Sequence, residues 1–272
     1  MQCTGNFLDL SERIADAVHE ATKELVGTPD AGRTLYMGAD GTPTKLIDDV
    51  AEKAVFDLLE KEHRPFRVIS EEAGEKIFGN SPDLSIILDP IDGTYNASQG
   101  IPFYSLSLAI TTTDLNDIRF GYVKNLATGD TFHAEVGKGA YLNGKRLETS
   151  KNSDVSKFCV SIYGYKRDIK GAANISESVR RIRALGSVAL ELCYVAAGMI
   201  DALADVRGTM RMTDIAAGKL IVEEAGGIVT NGYGEALKLE YQVISRVSVI
   251  ASNGLAHDRI LKLSTGIVHE DK

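Results

Sequence analysis

The stretch LDPIDGTYN, residues 88–96, places two carboxylates three positions apart, Asp89 and Asp92, at the end of an apolar run. At neutral pH such a pair repels itself unless a cation lies between its members. Pro90 cannot donate to a strand ladder, so a turn is predicted there. The Ile91 carbonyl can then face the same centre as the two carboxylates. Gly93 and Thr94 follow at a predicted helix start, where free N–H groups favour an anion. The segment therefore offers oxygen ligands for a hard cation beside a phosphate cradle. For an isolated D-x-x-D-G, local turn capping is the commoner explanation.

Other acids stand at comparable places. Glu71 and Glu72 follow an apolar, β-branched run at 66–70, Asp48 lies in the first turn of a predicted helix, and Asp214 reads as a helix N-cap. Cys3, Cys159 and Cys193, and the histidines at 19, 63, 133, 257 and 269, have no metal-ligand spacing, which argues against zinc. No Ser/His/Asp or Cys/His arrangement of the kind used for nucleophilic catalysis stands out.

The elements that must position these groups are mixed. Ile14, Ala17, Val18, Ala21 and Leu25 mark one amphipathic helix. Ile47, Val50, Ala51, Ala54 and Leu58 mark a second, with Thr44 as its expected N-cap. Residues 66–70 and 84–88 read as buried strands, 103–111 as an alternating one, and 131–147 as hairpins turning at Asn143-Gly144. Beyond residue 156 follow a strand at 158–162, helices at 175–183 and 188–197, and a helix opening at Asp214 and closing at Gly226-Gly227. Antiparallel hairpins mixed with helices predict an α+β layered fold.

With 272 residues, 44% apolar and 25% charged, the chain has the composition of a soluble globular protein. Its net charge of −8 argues against coating nucleic acid. The longest apolar stretch, 185–206, is broken by Glu191, Asp201 and Asp205 and reads as a buried helix rather than a membrane span. The start of the chain lacks a signal-peptide pattern, so a cytoplasmic location is expected.

Taken jointly and in this order, ISEE (69–72), LDPIDGTYN (88–96), GKGAYLNGKRL (137–147) and TDIAAGKLIVEEAGG (213–227) resemble the inositol monophosphatase family of magnesium-dependent, lithium-sensitive sugar phosphatases. DGTPTKLID (40–48) and DVRGTMRMTD (205–214) look most like its archaeal branch, in which one enzyme commonly handles inositol monophosphates and fructose 1,6-bisphosphate. The resemblance implies a layered αβαβα fold with an N-terminal α+β half (1–155) and a C-terminal α/β half (156–272). It implies Mg²⁺, two to three ions per site, held by Glu71, Asp89, the Ile91 carbonyl, Asp92 and Asp214, and a homodimer. Asp48 matches a carboxylate near the third, weaker ion, with Asp40 a further candidate. Thr94, with Glu71, would orient the water for in-line attack, and the Gly93 and Thr94 amides would hold the phosphate. Gly186, Ser187 and Val188 match the sugar-binding segment. Arg207 and Arg211 suit a second phosphate, with residues 163–168 a further cationic cluster. The family's usual Trp before the last aspartate is Thr213 here. A 3′,5′-bisphosphate nucleotidase on the same scaffold and a non-catalytic binding protein are the alternatives.

Overall fold

A computed structural model describes residues 7–114, 116–164, 169–238 and 243–265. The chain opens with helix α1 (Phe7–Thr22), a short exposed hairpin of β1 (Thr34–Met37) and β2 (Pro43–Lys45), and helix α2 (Leu46–Leu59). Strands β3 (Phe66–Ser70), β4 (Gly74–Phe78) and β5 (Ser85–Asp92) follow, then the one-and-a-half-turn helix α3 (Thr94–Gln99). Strands β6 (Ser105–Thr111), β7 (Ile118–Asn125), β8 (Thr131–Glu135), β9 (Gly139–Leu142) and β10 (Lys145–Arg146) complete an eight-stranded sheet ordered β10-β9-β8-β7-β6-β5-β3-β4. Only β3 and β5 pair in parallel in it.

The remaining elements are β11 (Cys159–Tyr163), α4 (Ile169–Ser178), β12 (Arg181–Arg183), α5 (Val188–Ala196), β13 (Ala202–Met210), α6 (Met212–Glu224), β14 (Ile228–Thr230), β15 (Val247–Ser252) and α7 (His257–Thr265). Their strands form a second sheet, ordered β12-β11-β13-β15-β14. Helices α1 and α2 cover the outer face of the first sheet, burying Ile14, Val18, Ile47 and Val55 against Ile86, Leu88 and Tyr122. Helices α5 and α6 fill the space between the sheets, and α4 with α7 covers the second sheet's outer face. The layers run α-β-α-β-α, as the resemblance implies. Among the described residues, no helix is long and apolar enough to cross a membrane.

Several local readings are corrected by packing. Strand β6 is buried at all seven positions rather than alternating, because helices cover both sheet faces. The expected helix at 175–183 lies earlier, at 169–178, and Arg181–Arg183 instead pair in parallel with β11. The apolar stretch 185–206 divides into α5 and the start of β13 rather than one helix. Thr44 does not cap α2. Lys45 holds that position, and the Thr44 hydroxyl donates to Glu72. The Asn143-Gly144 turn is present, both residues having positive φ, at 50° and 76°.

Candidate active site

The strand β5 carries the centre of the site, and its irregularity makes the site possible. Along a regular strand, residues three apart face opposite ways. Ile87 packs between the sheets, whereas Ile86 and Leu88 pack against α1 and α2. Pairing with β6 then shifts register between Asp89 and Asp92. After the shift Ile91, an odd-numbered residue like Ile87, sits with Ile86 and Leu88 instead. The break brings Asp89 and Asp92 to one side. Pro90 is accommodated because the ladder is interrupted there. The expected turn at Pro90 is thus an irregularity within a strand that continues to Asp92.

Helix α6 brings Asp214 from the second half of the chain. It rests on Gly121 of β7, where an added Cβ would meet the Ala217 carbonyl at 2.8 Å, so a side chain there would push the helix away. Asp214 is the third residue of α6 rather than its N-cap, and its Oδ2 accepts from the Arg211 amide at 3.3 Å. Carboxylate oxygens of Glu71, Asp89 and Asp214 come within 4.8 Å of one another, from the end of β3, from β5 and from α6. Asp92 adjoins them but is turned by other partners: its Oδ2 accepts from the Ser187 hydroxyl and the Ala189 amide, each at 2.7 Å.

Burial, together with Asp92 and Asp214, pushes Asp89 well above the ordinary carboxylate range, and burial with Asp214 raises Asp92. A cationic side chain enters the cluster. The Arg211 guanidinium pairs with Glu71, reaches Asp40 Oδ2 at 3.1 Å and lies 3.5 Å from Asp214 Oδ2. Burial opposes its charge, but Asp214 and Asp40 outweigh it, so Arg211 is held more firmly protonated than usual. An all-oxygen donor set without His or Cys, crowded enough to repel itself, suits a small hard cation. The residues present fit such an ion.

Asp48, on the first turn of α2, accepts from the Thr94 hydroxyl at 2.9 Å and from the Lys45 amide at 3.2 Å. Burial raises Asp48 to about 6. The Thr94 hydroxyl also lies 3.1 Å from the Ile91 carbonyl. Gly93 caps α3 with φ 96°, and an added Cβ would meet the Gly186 and Phe103 carbonyls at 3.1 and 3.2 Å. Glycine is needed there for both the backbone angle and the close approach.

A cleft of about 500 Å³ opens over these groups, lined among others by Glu71, Asp92, Thr94, Gly186, Val188 and Arg207. Ser187 departs from expectation. It is fully buried, and its hydroxyl serves Asp92, Ser105 and the Leu190 amide rather than the cleft. Its short side chain is the N-cap of α5. Arg211 is likewise engaged by carboxylates, whereas Arg207 is tied to Asp205 at 2.7 Å and lies 4.9 Å over the Tyr163 ring. Of the 163–168 cluster, Tyr163 and Gly164 are described and residues 165–168 lie outside the described residues.

Three supporting residues were not anticipated. Asn96 Nδ2 donates to the Phe103 and Leu185 carbonyls, each at 2.7 Å, joining α3 to the segment before α5. Glu191, fully buried, accepts from Ser161 at 2.6 Å, the Leu185 amide at 2.7 Å and the Tyr163 hydroxyl. Arg246 reaches Asp40. The available signal was a lone charge or amide inside an otherwise apolar or unremarkable stretch, which names no partner.

A family model described as the inositol monophosphatase family matches residues 7–269. A fructose-1,6-bisphosphatase/inositol-1-monophosphatase of Methanothermobacter thermautotrophicus is 44% identical over 261 residues, covering 92% of this chain and 93% of that protein. A bifunctional NADP phosphatase/NAD kinase of Methanococcus maripaludis is 40% identical over 276 residues, covering 94% of this chain and 49% of that protein. A solved inositol monophosphatase–fructose 1,6-bisphosphatase superposes with a TM-score of 0.85 at 28% identity, covering 97% of this chain and 100% of that one.

Proposed function

The chain belongs to the inositol monophosphatase family, and from that premise we propose that it is a Mg²⁺-dependent phosphomonoesterase acting on inositol monophosphate and fructose 1,6-bisphosphate. The observation that carries this is the convergence of Glu71, Asp89 and Asp214 within 4.8 Å, beside Asp92 and the Thr94–Asp48 pair. Glu71, Asp89, Asp92, Asp214 and the Ile91 carbonyl would hold two to three Mg²⁺ ions. Bound there, the metal would supply charge neutralisation at the phosphoryl group and a lowered pKa for water.

The protein's own groups do the rest. The Thr94 hydroxyl donates a hydrogen bond to Asp48, which leaves its oxygen free to accept one from the attacking water. Glu71 lines the same cleft as Thr94 and would orient that water and take up its proton. The Gly93 and Thr94 amides at the start of α3 would hold the phosphate. Asn96 and Glu191 both bond the Leu185 main chain, which fixes the start of the Gly186–Val188 segment. In-line displacement then needs no phosphoenzyme, and positioning carries much of the rate. Arg207, over the Tyr163 ring, and Arg211 suit the second phosphate of a bisphosphate. A homodimer in the cytoplasm completes the proposal.

A second reading, release of phosphate from a nucleotide, is favoured by the likeness to the protein named NADP phosphatase/NAD kinase. Phosphate release from inositol 1-phosphate, fructose 1,6-bisphosphate and NADP⁺, each with Mg²⁺ and with EDTA, separates the two. Mg²⁺-dependent release from the first two supports the proposal. Release from NADP⁺ alone transfers it to the nucleotide reading, and release undiminished by EDTA refutes the metal centre.

A further inference from the structure

Arg246 belongs to none of the motifs above. It lies just before β15, and its Nη1 donates to the carbonyls of Val243 at 2.7 Å and Ser245 at 3.2 Å, which braces the guanidinium against its own segment. The other terminal nitrogen crosses to the first hairpin, donating to the Asp40 main-chain carbonyl at 2.9 Å and to its Oδ2 at 3.1 Å.

Asp40 sits in the turn between β1 and β2 with its side chain fully buried. Its Oδ1 accepts from the Thr42 amide and hydroxyl at 2.7 and 2.8 Å. The Asp40 amide donates to the Glu71 carbonyl at 3.2 Å, and the Ala39 amide to the Glu72 carbonyl at 2.9 Å. The turn is therefore held on one side by the main chain of Glu71 and Glu72, and on the other by Arg246.

Two arginines meet at Asp40 Oδ2, and their other partners differ. Arg211 also contacts Glu71 and Asp214, whose charge a metal would offset. Arg246 makes an ion pair with neither, although the charge of Asp214 reaches it, and its remaining hydrogen bonds are to main-chain carbonyls. With Arg246 in place, Asp40 keeps a cationic partner when Arg211 turns elsewhere.

We propose that Arg246 is a positioning residue: it clamps the 38–42 turn onto Glu71 and neutralises Asp40, freeing Arg211 to turn toward an anionic substrate. The substrate clause rests on the phosphatase reading, but the clamp does not. Without Arg246, the turn loosens above Glu71, and among the described residues Arg211 becomes the sole remaining cation on Asp40.

The full-length protein tests this as wild type, Arg246→Ala, Arg246→Gln and Arg246→Lys. Three quantities are measured: amide exchange across residues 38–42, Mn²⁺ affinity by electron paramagnetic resonance, and KM and kcat on fructose 1,6-bisphosphate. In Arg246→Ala and Arg246→Gln, exchange at Ala39 and Asp40 is expected to accelerate about tenfold while β13 and β15 stay protected. Mn²⁺ binding should weaken by about tenfold, the lower range for groups that orient metal ligands. KM should rise more than kcat falls. Arg246→Lys should recover part of the Mn²⁺ affinity, since a single ammonium keeps the charge without the fork. Folded Ala or Gln variants with wild-type exchange and Mn²⁺ affinity overturn the proposal. If one of the two fails to fold, the other decides. Loosened exchange and weakened Mn²⁺ binding in a protein that hydrolyses no phosphate ester would uphold the clamp and refute the phosphatase reading.

Discussion

Ser187 donates its hydroxyl to Asp92 Oδ2 at 2.7 Å across 95 positions of chain, and the Ala189 amide donates to the same oxygen. Both bonds fall on one carboxylate oxygen, and Oδ1 takes none among the described residues. The carboxylate is thereby fixed in rotation by the N-terminus of α5 before any ligand arrives. Ser187→Ala should leave the fold intact and lower unfolding stability by about 1–2 kcal/mol, the cost of an unmade buried hydrogen bond. Mg²⁺ affinity should fall by about tenfold, as for other groups that orient metal ligands. Denaturant titration and Mg²⁺ titration check the two effects separately.

Asp92→Asn removes a negative charge that its neighbours oppose. Phosphate release should drop by on the order of a hundredfold or more. Stability in EDTA should hold or rise, because burial and Asp214 already disfavour the ionised form. Loss of activity accompanied by unfolding would contradict this, as would wild-type turnover.

Arg211→Ala should affect the metal-free protein most. Its guanidinium is the cation shared by Glu71, Asp40 and Asp214. Without it, stability in EDTA should fall by about 1–3 kcal/mol, the cost of leaving partly buried carboxylates uncompensated. Saturating Mg²⁺ should shrink that difference, and Mg²⁺ affinity should tighten because a competing cation is gone. Melting curves with EDTA and with Mg²⁺ test both statements.

Burial also sets a pH dependence. Asp48 is raised from 3.8 to about 6 and Glu72 from 4.5 to about 7, while Asp89 and Asp92 are raised in the same direction. Groups raised on folding bind more protons in the native than in the unfolded state between those values. Their stabilising contribution is complete below the unfolded pKa and is lost as pH rises through the folded one. In EDTA, the denaturation midpoint should therefore fall between about pH 4 and 8, the upper end set by Asp92, and Mg²⁺ should flatten the slope. A midpoint rising over that window would contradict the burial of these acids without a cation.

The elements were legible where pattern is local. The helix over 188–197, the strand at 66–70 and the Gly226-Gly227 stop are seen nearly as read, because periodicity and capping act within a few residues. The pairing of Asp89 with Asp92 was legible as a motif, yet the strand irregularity that turns both to one side was not. It depends on register against β6. Arg181–Arg183 form a strand only because β11 lies beside them. Ser187 could be matched to the sugar wall, but its hydroxyl is captured by Asp92, which no local pattern encodes. Asn96 with Leu185 and Arg246 with Asp40 are joined across 89 and 206 positions, and a single sequence carries no mark of such partnerships.

The most direct measurement is an anomalous-scattering map of the protein crystallised with Mn²⁺, a close stand-in for Mg²⁺ at oxygen ligands. Peaks are expected about 2.1 Å from carboxylate oxygens of Glu71, Asp89, Asp92 and Asp214, with the Arg211 guanidinium withdrawn from Glu71. No peak at saturating Mn²⁺, with Arg211 still lying between Glu71 and Asp214, would contradict the metal centre and the hydrolysis built on it.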